Sequence, residues 1–253
     1  MMPVLVEICV DSPAGLAAAI AGGADRIELC AALSLGGLTP SPGLIAAAAD
    51  CPVPVRAMIR PREGDFRFYA GEQRAMLADV RAARSAGLSG VVIGAQAPDG
   101  ELDVAALKAL VAEAEGLDVT LHRVVDLLDD PVAAVDIALE LGIATILTSG
   151  GGRTAIEGAR VIRAMRERAF GRVEILAGAG VRAINVGALV VATGVGAVHA
   201  SCATPVAQAD PRTREFGFAS GSERTTDAAA VAALKAATNA VSAILTPWRH
   251  GFG

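Results

Sequence analysis

The sequence predicts a closed (β/α)8 barrel, an α/β fold built as a single unit over residues 1–253. Three observations carry that prediction. Short apolar runs of β type alternate with longer Ala/Leu-rich segments of helical period through eight units. Helix-starting residues and helix-stopping glycines punctuate the alternation. Finally, 253 residues is the usual size of such a barrel. An open doubly wound sheet is the competing arrangement, and an eighth repeat makes closure the more economical of the two.

The β-type runs are Leu5–Cys9, Arg26–Cys30, Val55–Ile59, Gly90–Ile93, Asp118–His122, Thr145–Thr148, Val173–Gly178 and Ala197–Ser201. The helical segments between them open on Asp11-Ser12-Pro13, Ser41-Pro42, Asp103 and Asp130-Pro131, which supply N-caps and a proline suited to the first turn. They close at Gly22, Gly87, Gly116, Gly142, Gly171 and Gly194. TTDAAAVAALKAATNAVSAIL supplies the last helix, and ASGSERTTD, residues 219–227, reads as a polar, mobile loop. No composition shift or long linker divides the chain.

Composition narrows the function classes. Hydrophobic residues make up 53% of the chain, its net charge is −5 and its pI about 5.3. No basic cluster interleaves with aromatics, so no nucleic-acid partner is expected. Small molecules or further copies of the chain are expected instead. Residues 183–209 lack Asp, Glu, Lys and Arg, yet Asn185, Gly187, Thr193, Gly194, Gly196 and His199 break the run, so no membrane span is expected. Cys9, Cys30, Cys51 and Cys202 follow no paired spacing, and no secretory pattern precedes MMPVLVEIC, which together predict a reduced, cytoplasmic protein. His250, near the C-terminus, reads as a surface residue without a role.

Strand parity then gathers the chemistry. If Val6, Ile8 and Val10 face the helices, Glu7 and Cys9 face the barrel axis. By the same rule Glu28 and Cys30, Arg56, Met58 and Arg60, Thr120 and His122, and His199 and Ser201 point inward. Two carboxylates, several guanidinium groups, two imidazoles and two thiols would share one enclosure. Buried Glu7 and Glu28 need partners, and Arg60, with Arg123, is the expected source. The C-terminal rim, where barrel sites form, adds RPREGDFRFY with Arg62 and Asp65, and the Gly-rich turns TSGGGR and AGAGVR. Ser149, Gly178, Gly180 and Arg62 are the candidate anion binders among these.

The blocks EIC, GADRIELC, GGLTPS, IRPREGDF, LHRVVD, LTSGG, AGAGV and VHAS, in that order from Glu7 to about Ser201, resemble the copper homeostasis protein CutC family. That resemblance implies a (β/α)8 barrel, a homo-oligomer and cytoplasmic copper handling, with Cys9 and Cys30 matching the cysteines proposed to hold Cu(I). The chain departs from the family pattern at Glu63-Gly64 and at Val125, and matches poorly after residue 203.

Two functions follow. In the first, Cys9 and Cys30, on adjacent strands about 4.8 Å apart, bind Cu(I), with Met58 as a further soft contact. In the second, an enzyme clamps a small phosphorylated or carboxylated anion with Arg60, Arg62 and Arg123. His122, Glu7 or Glu28 then moves the proton, and Asp65 or Asp126 orients a partner. A hard divalent ion on Glu7 and Glu28 would be repelled by the neighbouring arginines.

Overall fold

Inward and outward residues of eight short strands sort into separate cores. The structure, a computed structural model, describes residues 3–206, 210–220 and 223–245. His250 lies outside them.

Strands β1 (Leu5–Val10), β2 (Arg26–Leu29), β3 (Val55–Met58), β4 (Gly90–Ile93), β5 (Asp118–Leu121), β6 (Thr145–Thr148), β7 (Glu174–Ala177) and β8 (Ala197–Ala200) pair in parallel and close as β8 meets β1. Helices α1 (Pro13–Ala21), α2 (Pro42–Ala48), α3 (Ala70–Ser85), α4 (Val104–Glu113), α5 (Ala134–Leu141), α6 (Ala159–Ala169) and α7 (Val186–Thr193) alternate with them. Ser12, Ser41 and Asp103 cap α1, α2 and α4 through their side chains, as their sequence context requires. Gly142 and Gly194 end α5 and α7 in the left-handed region, which a side chain would disfavour.

The outward residues Val6, Ile8, Val10, Ile27, Leu29, Ala57 and Ile59 belong to the large core between strands and helices. Inside the barrel two small apolar clusters stand apart from it. One holds Cys30, Met58 and Val92, with Leu33 packed on it; the other holds Leu147, Leu176 and Ala197, with Leu5 packed on it. Strand parity therefore holds around the barrel.

The chain differs from the sequence expectation after β8. Where one polar loop was expected before the final helix, β9 (Ala203–Pro205) and β10 (Arg224–Thr226) pair antiparallel. The short helix α8 (Pro211–Glu215) lies between them. Residues 224–226 of the expected loop are thus a strand. The last helix, α9 (Ala228–Leu245), follows.

Candidate functional site

The lower barrel is closed by ion pairs between strands. Register sets Glu7 beside Arg26 on one side and His199 on the other. The Arg26 guanidinium donates to Glu7 from Nε and to Glu174 from Nη2, the latter at 2.7 Å. His199 Nδ1 lies 2.8 Å from the other Glu7 oxygen. Burial pushes the Glu7 carboxyl up, but the His199 hydrogen bond and the charges of His199 and Arg26 outweigh it and hold the group at about 2. Nearby, Arg56 donates to Thr120 at 2.7 Å, Thr145 at 2.9 Å and Asp118 at 3.1 Å.

This replaces the expected Glu7–Arg60 pair. Arg60 lies beyond the end of β3, well above the level of Glu7, and donates to the carbonyls of Leu35, Gly37 and Gly64. Arg26 has the same inward parity as Glu28, so the strand pattern already marked the partner that register selects.

Above this floor opens a cavity of about 1070 Å³. Glu28, Arg60, His122, Arg123 and His199 line it, as the inward parity and rim reading required, while Glu7 does not reach it. Arg182 joins from the AGAGVR turn, whose glycines and not its arginine were the expected anion binders, and Arg224 joins from a loop given no role in the site. Four arginines and a single acid, Glu28, make its described lining electropositive in a chain of net charge −5. The Arg60 guanidinium carbon lies 4.9 Å from the centre of the Phe66 ring, whose own centre is 4.8 Å from that of His122.

Three buried polar atoms of this lining lack a hydrogen-bond partner among the described residues: Glu28 Oε1, Arg60 Nε and His122 Nε2. His122 Nδ1 accepts the Val124 N–H at 3.1 Å, which leaves the proton of the neutral ring on Nε2. Burial, then the Arg60 charge, lowers its pKa to about 3, so near neutrality His122 is an uncharged donor and not the acid or base expected of it. Gly94 makes room for the ring, since a Cβ there would lie 2.1 Å from His122 Cε1. Glu28 is pushed the other way, upward, mainly by burial, with His199 opposing and Glu7 adding to the rise. The imidazole of His199 is raised well above its ordinary value. Burial opposes that rise, and the Glu28 charge is the largest force behind it.

The remaining candidates divide sharply. Arg62 donates to Glu72 at 2.5 Å and Asp65 at 2.9 Å, forming with them a surface clamp outside the cavity. Neither Arg62 nor Asp65 is therefore placed to touch a ligand there. The turn after β6 is an anion nest already filled by the protein. Asp126 accepts from Ser149 N at 2.9 Å, Gly151 N at 3.1 Å and Thr148 Oγ1 at 2.6 Å, and Arg123 donates to it at 2.8 Å. Ser149 is thus occupied. Gly178 also lies outside the lining; a Cβ there would meet Leu147 Cδ1 at 2.6 Å, so packing requires the glycine. Gly180 does line the cavity. The N–H groups of Ala179, Gly180 and Val181 carry no hydrogen bond among the described residues. Ala179 and Gly180 are left-handed, at φ 76° and 71°. Non-glycine residues resist that region, and Ala32, Ala179 and Cys202 adopt it in the loops after β2, β7 and β8.

Register also separates the two cysteines. Cys9 stands opposite Glu28 rather than level with Cys30. Cys9 lines the cavity, whereas Cys30 is fully buried, packs with Met58 and donates a thiol hydrogen bond to Glu28 at 3.5 Å. Burial, then Glu28, pushes the Cys30 thiol well up. Cys9 Sγ, a Glu28 oxygen and a His199 ring nitrogen lie within 4.8 Å of one another. Cys202, also on the lining, has its thiol raised to about 11 by burial and then by Cys9.

Comparison with known proteins agrees with this architecture. The CutC family model matches residues 4–204. A CutC family protein of Sinorhizobium medicae is 49% identical over 243 residues, covering 96% of this chain and 99% of the relative. One from Caulobacter vibrioides is 52% identical over 236 residues, covering 92% and 96% respectively. The solved structure of a Streptococcus agalactiae protein, provisionally named a copper homeostasis protein CutC, superposes with a TM-score of 0.74 at 32% identity. That match covers 78% of this chain and 98% of the other. A barrel with this register and this set of inward residues, matched over most of its length at about half identity, belongs to the CutC family.

Proposed function

We propose that the barrel mouth binds a small anionic molecule, phosphorylated or carboxylated, and acts on it by proton transfer. The observation that carries this reading is the trio Glu28 Oε1, Arg60 Nε and His122 Nε2, buried on one cavity without partners. Leaving such groups unpaired costs about 1–3 kcal/mol each, which a ligand would recover. Arg123 and Arg182 supply positive charge, and the free N–H groups of Ala179–Val181 suit an anion at the loop after β7. Glu28, its carboxyl raised by burial, is the acid or base, and neutral His122 is a hydrogen-bond donor to developing charge.

The test is a melting-temperature series with inorganic phosphate, pyrophosphate and dicarboxylates, in wild type, Arg182→Ala and His122→Asn. A binding anion raises the wild-type melting temperature, and each substitution reduces the rise. An unchanged wild-type melting temperature throughout the series, or equal rises in all three proteins, overturns the reading.

A second reading takes its support from Cys9 and from the copper-related family name. Cu(I), as cargo, would be held by Cys9 and Cys30, since soft thiolates suit it. The donors fit that pair poorly: Cys30 would have to give up its hydrogen bond to Glu28, and Met58 is engaged in apolar packing with it. An anaerobic Cu(I) titration of wild type against Cys9→Ser/Cys30→Ser decides it, with unchanged affinity ending the copper reading.

Cytoplasmic placement goes with either reading, supported by four cysteines that are free thiols. No helix among the described residues is long and apolar enough to cross a membrane. Homo-oligomer formation is supported by exposed Phe170, Ile184 and Val191, and the molecular mass in solution tests it.

A further inference from the structure

We propose that Cys9 Sγ, His199 Nε2 and a Glu28 carboxylate oxygen form a site for a borderline divalent cation of the zinc class, with its fourth coordination position open to the cavity. The inference shares the cavity and Glu28 with the proposed anion site, while Cys9 and His199 belong to it alone. Four observations support it.

The three donors come from strands made neighbours by closure, β8, β1 and β2, and all lie within 4.8 Å of one another with each residue buried. Tetrahedral coordination with bonds of about 2.0–2.3 Å sets donors about 3.3–3.8 Å apart, so sub-ångström side-chain adjustments bring the group together. His199 Nε2 is already 3.7 Å from Glu28 Oε2.

The second observation is the support behind the histidine. His199 Nδ1 lies 2.8 Å from Glu7 Oε1, Glu7 is paired with Arg26, and Arg26 with Glu174. A carboxylate on the far ring nitrogen is the arrangement that orients metal-binding imidazoles and directs the free nitrogen at the ion. Glu7 thus acts as a positioning residue, and the Arg26 charge is balanced by its pairs with Glu7 and Glu174. Arg26 sits behind Glu7, and Arg60 is occupied by three loop carbonyls.

Third, Glu28 has an oxygen to give. Its Oε2 takes the Cys30 thiol at 3.5 Å, while Oε1 is buried without a partner. Fourth, the donor set itself discriminates. One sulfur, one nitrogen and one oxygen match three-ligand zinc sites that keep a position for water or substrate, whereas Cu(I) is selected by soft thiolate and thioether donors, of which this group holds one. Cys30 stands outside the group, and the group lines the cavity.

The full chain, stripped with a chelator and kept reduced, is titrated with Zn2+ against a chromophoric competitor and, separately, with Co2+. Binding of one equivalent is expected, the cation displacing the protons of His199 Nε2 and the Cys9 thiol into solvent, together with a thiolate-to-cobalt charge-transfer band. Cys9→Ser abolishes that band, and Cys9→Ser and Glu28→Gln each weaken Zn2+ at least tenfold. Cys30→Ser leaves both within about twofold. Thermal unfolding of each variant establishes that it is folded. The proposal is overturned by absence of saturable binding in wild type, by a Cys30→Ser loss equal to that of Cys9→Ser, or by unchanged affinity in Cys9→Ser and Glu28→Gln. Anion-dependent melting shifts are read on Cys9→Ser, which the proposed anion site does not use, so loss of metal there with the anion response intact, or the reverse, separates the two readings.

Discussion

The floor and the mouth of this barrel use the same residue types to opposite ends. On the floor Glu7, Arg26 and Glu174 interlock, and Arg56 joins Thr120, Thr145 and Asp118, with Arg56 Nε left without a partner among the described residues. In the mouth, a few ångströms above, Glu28, Arg60 and His122 each keep a buried atom without a partner. Paired charge is architecture; unpaired charge around a cavity is readiness for a ligand. The histidines divide accordingly. His199 rests on the Glu7 carboxylate and holds its proton tightly, whereas His122 is wedged against Gly94 and Phe66 and stays neutral.

The largest test of the contrast removes a floor cation. Arg26→Met leaves Glu7 and Glu174 facing each other without it, and is expected to destabilise the chain by about 3–5 kcal/mol in urea unfolding. A loss below about 1 kcal/mol would mean that the floor pair is incidental. Next comes the Asp126 brace, which belongs to the mouth's wall and not to its ligand. Asp126→Ala strands the N–H groups of Ser149 and Gly151 and should cost about 2–3 kcal/mol by the same measurement.

Acid separates the two levels by pH. His122, held at about 3 in the fold against 6.5, binds its proton first in the unfolded chain, so its contribution is full above 6.5 and lost as pH falls toward 3. Glu7, held at about 2 against 4.5, contributes fully above 4.5 and loses that contribution as pH falls toward 2. His199, raised in the fold, keeps its proton throughout and adds stability as pH falls toward 6.5, levelling off below it as the unfolded imidazole takes up its own. Glu28, whose carboxyl is raised in the fold, gains stability as pH falls and opposes His122, so the readout is a difference: from pH 7 to 5 the wild-type urea midpoint should drop relative to that of His122→Asn, and parallel slopes would refute the assignment. The smallest effect calibrates the others. Ser12→Ala removes the α1 cap, touches neither level, and should cost about 1 kcal/mol without changing anion or metal binding.

Much of this was legible in the chain. Alternation in LVEICV and VRAM gave the inward set, because helix-facing positions must be aliphatic whatever the barrel's details. Partners were not legible, since register depends on the stagger of closure. That stagger set Glu7 beside Arg26 rather than Arg60, and Cys9 beside Glu28 rather than Cys30. The Gly-rich turn after β6 was correctly shaped for an anion, but Asp126, more than twenty residues earlier, fills it. Arg224 was missed because its strand pairs with a segment some twenty residues back, a contact that no local pattern announces.

One paired measurement tests the division between floor and mouth most directly: the unfolding free energies of Glu7→Gln and Glu28→Gln at neutral pH. Each replaces a buried carboxylate by its neutral isostere two residues apart on inward positions of neighbouring strands. Glu7→Gln should lose about 3–5 kcal/mol, because Arg26 and His199 lose their shared anion, while Glu28→Gln should match or exceed wild type. Equal losses at both positions would contradict the account, since the mouth carboxylate would then be as structural as the one beneath it.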